Sequence, residues 1–220
     1  MENLFEKPLV TVDIIIFTVV DSDLKVLLIR RGVAPFKDMW AIPGGFVRSD
    51  ETLEEAASRE LVEETGAKDI YLEQLYTFGN PKRDPRGRVI TIAYFALINS
   101  ENIKLHATTD ASEAKWFSIY DLPQLAFDHK DILDYALKRL RWKLEYTAIV
   151  FQLLPKRFTL AQLQKIYEIT FHKKFDKRNF RKKILILNIL KEAGAQKIVK
   201  HRPAKLYSFK GKIERIIEIF

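Results

Sequence analysis

Apolar and polar positions change period several times along the chain, and each change predicts an element. The run TVDIIIFTVV, Thr11 to Val20, is rich in β-branched residues, and Lys25 to Ile29 is apolar again after an Asp21–Asp23 turn, which predicts a β-hairpin. Ile70–Phe78, Val89–Ile98 and Ala114–Phe117 read as further strands, with turn chemistry at Asn80-Pro81 and Asp84-Pro85-Arg86-Gly87. Between the hairpin and these strands the spacing becomes helical. Thr52 and Glu55 form a capping box, Leu53, Ala56, Ala57, Glu60, Leu61 and Glu64 follow at intervals of three and four, and Gly66 supplies a stop. From Asp128 to about Phe151 the residues Ile132, Leu133, Ala136, Leu137, Leu140 and Leu144 predict a long amphipathic helix.

Pro155 interrupts the pattern, and Thr159 with Gln162 opens another capped helix, with Phe158 and Leu163 placed as a hydrophobic staple. Asp176 can cap a further helix, predicted over Lys177–Glu192 with Gly194 as its stop. Two strand-like pieces, Ile198–Lys200 and Lys205–Phe209, close the pattern. Residues 1–149, ending in the amphipathic linker helix from about 128, then form one domain and residues 150–220 a second.

Charge reinforces this division. The net charge is +8, yet residues 1–149 carry 19 Lys and Arg against 24 Asp and Glu, a balance of −5, while residues 150–220 carry 18 against 5, a balance of +13. A surplus concentrated in this way repels itself unless it meets a polyanion, although a solvated basic surface has the same composition. The chain has no Cys, which excludes disulfides, thiolate metal sites and cysteine nucleophiles. Glu2 and Glu6 stand where a secretory leader would be basic, and no apolar run reaches a membrane-spanning length, so a cytoplasmic protein without membrane contact is expected.

The candidate chemistry lies on the first capped helix. Gly45, Glu51 and Arg59-Glu60-Leu61-Val62-Glu63-Glu64 put three carboxylates within five helical positions, where like charges oppose one another's ionisation. A hard divalent cation relieves that crowding, because Mg²⁺ takes oxygen ligands and commonly bridges carboxylates to phosphate oxygens. Arg59 can orient one carboxylate, and Gly44 and Gly45 after Pro43 allow the backbone close to both helix and ligand.

These residues resemble the signature of the Nudix hydrolase superfamily over the 23 residues Gly45–Ala67, with only Ala67 smaller than the usual final residue. The resemblance implies an α/β/α sandwich with a mixed sheet and hydrolysis of a nucleoside diphosphate. It also implies Mg²⁺ or Mn²⁺ held by Glu60, Glu63 and Glu64, with Gly44, Gly45, Arg59 and Glu51 in support. Glu113, near Asp110 in the segment HATTDASEAKWF, is the first candidate for a general base, and it equally suits a surface loop.

The loop Asn80–Arg88 offers Arg83, Arg86 and Arg88, together with Lys82, as donors to phosphate or ribose, or as a solvated basic loop. Its Asp-Pro-Arg-Gly turn resembles ADP-ribose-type Nudix domains, which implies ADP-ribose or a similar nucleoside diphosphate as the ligand. Phe36, Trp40, Phe78 and Tyr94 could stack on a base or belong to the core.

In the basic segment the helix pair fits a helix-turn-helix. Lys177, Arg178, Arg181, Lys182 and Lys183 lie on the polar edge of its second helix, and Arg202 and Lys205 at a strand turn read as a wing. The expected fold class is α+β, the Nudix sandwich that the resemblance implies followed by a winged helix expected to bind double-stranded DNA, although winged helices also serve as protein-interaction modules. This combination resembles the Nudix-related transcriptional regulators, whose expected form is a homodimer on a palindromic operator. In that family the signature is often degraded, whereas here it is intact, which leaves open pyrophosphohydrolase activity, sensing alone, or both. An ADP-ribose pyrophosphatase with an accessory C-terminal domain and a sugar-responsive regulator of catabolic genes stand as alternatives.

Overall fold

The computed structural model describes residues 7–66, 70–99, 111–196 and 203–211. They divide into two compact units: the described residues of Met1–Thr18, Lys25–Ile98 and Asn102–Leu137, and those of Val19–Leu24, Asn99–Glu101 and Lys138–Phe220. No helix among the described residues is long and apolar enough to cross a membrane.

The first unit is built on a seven-stranded mixed sheet. Strands β1 (Leu9–Val20), β2 (Asp23–Arg31), β3 (Trp40–Ala41), β5 (Tyr71–Phe78) and β6 (Val89–Leu97) run in the order β3-β2-β1-β6-β5, with β4 (Gly44–Phe46) on β1 and β7 (Ala111–Ser118) on β2. β1 pairs parallel with β6, from Leu9 opposite Val89 to Phe17 opposite Leu97, and antiparallel with β4. As a central strand it is apolar on both faces. Val12, Ile14 and Ile16 join Ala56, Ala57 and Leu61 of helix α1 (Leu53–Thr65) in one buried cluster, and Ile15 and Phe17 are also fully buried. Each such side chain contributes roughly 1.5–3 kcal/mol by leaving water.

Alternation would keep β5 on one face, but its register with β6 slips between Gln74 and Tyr76. Leu72 packs against the α1 cluster, while Tyr76 and Phe78 meet Tyr135 of helix α2 (His129–Tyr146) at centroid distances of 5.1 and 6.1 Å. Helix α1 forms as its sequence prescribes: Thr52 accepts from Glu55 N, Glu55 accepts from Thr52 N, and Gly66 closes the helix at φ 64°. Helix α2 stops at Tyr146, short of the predicted Phe151. Thr147 Oγ1 donates back to Lys143 O, and a 3-10 turn follows over Ile149–Leu153.

In the second unit the C-terminal half of α2 buries Leu140 and Leu144. Helix α3 (Leu160–Phe171) starts with the Thr159–Gln162 capping box and ends at His172 in the left-handed region, φ 52°. Its Tyr167 is buried, donates to Leu144 O at 3.2 Å and lies 5.5 Å from the Phe180 ring of helix α4 (Lys177–Ile186). The α3–α4 turn is held by Glu168, which accepts from Phe175 N and Gln164 Nε2.

Helix α4 is shorter than predicted. It stops at Ile186, and Asn188 takes a left-handed φ of 52°, so the apolar run past it enters strand β8 (Leu190–Ala195) instead of extending the helix. Gly194 is not a helix stop; at φ 100° it sits where β8 slips register against β9 (Lys205–Phe209) between Glu192 and Ala195. The predicted strand Ile198–Lys200 lies outside the described residues. The backbone of Tyr207 in β9 exchanges hydrogen bonds of 2.8 and 3.0 Å with Phe158, fixing the β8–β9 pair to the start of α3.

Candidate functional site

A cavity of about 380 Å³ opens where β1, β4, α1, the 79–88 loop and the start of α2 converge. Glu60, Glu63 and Glu64 line one side, Arg86 and Phe46 contribute elsewhere, and Asp13, Arg83, Phe127 and His129 complete it. The glycines make this closeness possible. A Cβ on Gly45 would lie 2.2 Å from Glu60 Oε1, and one on Gly44 would lie 2.2 Å from Val12 O.

Arg59 organises the glutamates. Its Nε and Nη2 donate to the two carboxylate oxygens of Glu51 at 3.0 and 2.7 Å, and its Nη1 donates to Glu60 Oε1 at 2.6 Å and stands 3.6 Å from Glu63. The Arg59 hydrogen bonds, followed by one from Arg48 N, hold the Glu51 carboxyl down to about 2. Glu51 does not line the cavity, so its part is to fix Arg59. Burial raises the Glu60 carboxyl above its ordinary value despite Arg59. Glu60 and Glu64 are buried, whereas the Glu63 side chain is 43% exposed.

Among the described residues no three His, Asp or Glu side chains are gathered closely enough to hold a metal ion. The three glutamates nevertheless supply hard oxygen donors on one cavity wall, a set whose chemistry fits Mg²⁺ or Mn²⁺. The Arg59–Glu60 pair supplies positive charge to the same carboxylates, so a cation would share Glu60 with Arg59 or displace it.

The basic loop behaves differently at each predicted position. Arg83 is buried and forms a fork on Asp128 at 2.8 and 2.9 Å, with Asp13 at 3.5 Å, and still lines the cavity. Arg86 pairs with Asp84 at 2.7 Å and lies over the rings of Phe46 and Phe127 at 5.1 and 5.6 Å. Burial alone would raise Asp84, but the hydrogen bonds from Arg86 bring it below its ordinary value. Arg88 is absent from the cavity lining and donates to Gly79 O at 2.6 Å, where it ties the loop ends together. Glu113 is exposed on β7, opposite Arg30, and is not among the residues that line the cavity. Asp110 and Ala67 lie outside the described residues.

Asp13, Phe127 and His129 were missed. Burial pushes the Asp13 carboxyl up to about 6 against the pull of Arg83. Burial pushes the His129 imidazole down to about 3, and its Nδ1 accepts from Ile42 N at 2.8 Å, which fixes a neutral ring with the proton on Nε2, 4.0 Å from Asp13. The segment Phe127-Asp128-His129, an aromatic and two polar residues at the mouth of an amphipathic helix, was the available signal. Of the predicted aromatic face, Tyr94 is 2% exposed and Trp40 packs edge-on to Phe117, while Phe36 and Phe78 remain accessible. The cavity thus joins carboxylates able to take a hard cation to a guanidinium and two rings, an arrangement suited to an anionic diphosphate carrying a sugar or a base.

On α4 the side chains of Phe180 and Ile184 are buried, and Lys177, Arg178, Lys182 and Lys183 are exposed, with Arg181 at the margin. Asp176 caps the helix by accepting from Asn179 N at 2.8 Å. Lys205 forms an exposed ion pair with Glu192 across the β8–β9 pair, and Arg202 lies outside the described residues. Lys177 and Arg178 lie in the first turn of α4, the end that a recognition helix presents to the major groove, and Lys182 and Lys183 lie in its second half.

Comparison with known proteins places families on both parts of the chain. Residues 9–136 match the NUDIX domain family and residues 150–209 match the NrtR DNA-binding winged helix domain. The chain is 42% identical over 209 residues, 93% of its length and 83% of the relative's, to a protein of Acinetobacter baylyi named ADPR responsive transcriptional repressor NtrR. An ADP-ribose pyrophosphatase of Methanocaldococcus jannaschii is 45% identical over 142 residues, 64% of this chain and 78% of that one. The crystal structure of Shewanella oneidensis NrtR complexed with a 27mer DNA superposes with a TM-score of 0.82 at 34% identity, covering 95% of this chain and 99% of that chain. The chain belongs to the Nudix family, in the group whose Nudix domain is followed by an NrtR DNA-binding winged helix.

Proposed function

We propose that this protein is a transcriptional repressor that binds operator DNA through α4 and the β8–β9 pair and is controlled by ADP-ribose, or a closely similar nucleoside diphosphate, in the Nudix cavity. The observation that carries this reading is the presence in one chain of a glutamate and arginine cavity of diphosphate character and a helix with exposed cations along its length, Lys177 and Arg178 in its first turn. The name of the Acinetobacter relative supports the same ligand and the same sign of regulation. Two copies bound to a palindrome in the cytoplasm give the working form. Lys177, Arg178, Arg181 and Lys182 contact DNA from α4, and Arg202 and Lys205 from the wing.

The test is binding of the full chain to its own upstream DNA with and without ADP-ribose and Mg²⁺, with AMP measured in the same samples. Release of DNA by ADP-ribose supports the reading; salt-insensitive or absent DNA binding refutes it.

A second reading, that the domain also cleaves its ligand, is favoured by the complete set of Glu60, Glu63 and Glu64 on the cavity wall with Arg59 orienting Glu60. Mg²⁺ or Mn²⁺ held by these carboxylates would polarise the diphosphate and help generate hydroxide. Arg59 keeps Glu60 in place, and Arg86 offers donors to the diphosphate oxygens. Metal-dependent AMP formation abolished by Glu64→Gln is the expected result, and AMP formation unchanged in that variant refutes it.

A further inference from the structure

Helix α4 ends on an apolar pair that its own packing does not use. Ile184 is 1% exposed, whereas Leu185 is 48% and Ile186 71% exposed, the highest value for a large apolar side chain among the described residues. A single exposed leucine or isoleucine is ordinary on a protein surface. Two side by side at the end of a helix otherwise faced with Lys and Arg form a patch with a chemistry of its own.

Helical spacing puts the pair in line with the cations. Phe180 and Ile184, one turn apart, are buried. Arg178 and Lys182, one turn apart on the other side, are exposed, and Leu185 and Ile186 follow Lys182 at the two positions that lie next along the same face. The end of the row is closed. Asn188 turns the chain at φ 52°, its N–H donates to Leu185 O at 3.2 Å, and its Oδ1 accepts from Lys210 Nζ at 2.6 Å. Leu185 and Ile186 are therefore presented from a tied helix end.

The occupant of this face must satisfy both halves of the row. A second copy of α4 would set like charges against one another, because Lys177–Ile186 holds Lys177, Arg178, Arg181, Lys182 and Lys183 and no carboxylate. A DNA duplex supplies what the row lacks: phosphates for the cations and, in the major groove, one apolar group, the C5 methyl of thymine. The other bases offer no methyl group there, so an apolar side chain in the groove distinguishes thymine.

We propose that Leu185 and Ile186 read thymine methyl groups in the major groove and so set part of the operator sequence, while the cations of the same row supply affinity. The proposal rests on the DNA-binding reading of α4 and adds which of its residues discriminate and which base they select.

The test compares two forms of the upstream DNA fragment, one with thymine and one with uracil at every thymine position, which differ only in the C5 methyl group. Each is titrated with the full chain, with the Leu185→Ala/Ile186→Ala double variant and with Lys182→Ala. Alanine preserves the helix and removes the apolar reach. The wild type is expected to bind the uracil fragment at least about 4-fold more weakly, the contribution of one buried methyl group. The double variant should bind both fragments alike, and Lys182→Ala should weaken both by the same factor and keep their ratio. A merely structural role for the pair would lower both affinities without moving that ratio. Equal binding of the two fragments by the wild type overturns the proposal and leaves the regulator reading standing. A ratio that survives in the double variant does the same, and a smaller assembly of that variant in sedimentation would then assign the pair to a contact between copies. If the wild type binds neither fragment, the regulator reading is overturned and the proposal with it.

Discussion

The ligand cavity and the surface of α4 are both rich in charge, but they handle it in opposite ways. Around the cavity nearly every cation has a fixed partner: Arg59 holds Glu51 and Glu60, Arg83 holds Asp128 and Asp13, and Arg86 holds Asp84. On α4, Lys177, Arg178 and Lys182 are exposed and make no ion pair with another described residue. Buried paired charges set geometry, because each is held in place and neither partner can be removed without cost to the other. Exposed cations exchange with counterions and act through their sum, which suits a duplex read along many phosphates.

The largest expected effect tests the buried side. Arg83→Met leaves Asp13 and Asp128 without their cation and is expected to cost about 3–5 kcal/mol in urea denaturation, against less than about 0.5 kcal/mol for Arg178→Met. Equal losses would erase the distinction. Gly45→Ala, which drives a methyl group onto Glu60, is expected to cost about 1–3 kcal/mol and to weaken ADP-ribose binding.

Acid titration sharpens the contrast within the cavity. The Asp13 carboxyl titrates near 6 in the fold, so its contribution is complete below its ordinary value of 3.8 and is lost as pH rises through about 6. His129, held near 3, contributes above its ordinary 6.5 and loses that contribution as pH falls through about 3. From pH 6 to 4 the two oppose. Asp13→Asn removes the first alone, so stability should fall more steeply with acid over that interval, by up to about 1.4 kcal/mol per pH unit. A variant with the wild-type slope would mean that Asp13 does not take up a proton on folding. The smallest effect belongs to α4: Lys182→Ala should lower the slope of log affinity against log salt by about 1, equally for any DNA sequence, with little change in stability.

What the sequence disclosed follows the range of the interactions. The Thr52–Glu55 and Thr159–Gln162 boxes are satisfied within four residues, and both were legible. The same holds for the three glutamates, whose spacing on one helix is a local property. Asp13, Arg83 and His129 come from a strand, a loop and a helix start, with Asp13 70 positions from Arg83 and 116 from His129, and nothing local marks them as partners. Arg83 and Arg88 looked alike in the loop, yet one reached the cavity and the other bonded Gly79. The end of α4 was misread because ILILNIL satisfies helical and extended patterns equally, and only the left-handed Asn188 decides between them.

The parallel pairing of β1 with β6 also sets a schedule for the growing chain. Each β1 residue from Leu9 to Phe17 finds its β6 partner 80 positions later. At translation rates of about 5–20 residues per second, the IIIF run waits roughly 4–16 s before its neighbour exists. During that interval the strand at the middle of the finished sheet keeps one edge open to other chains, a hazard that passes once β6 is made.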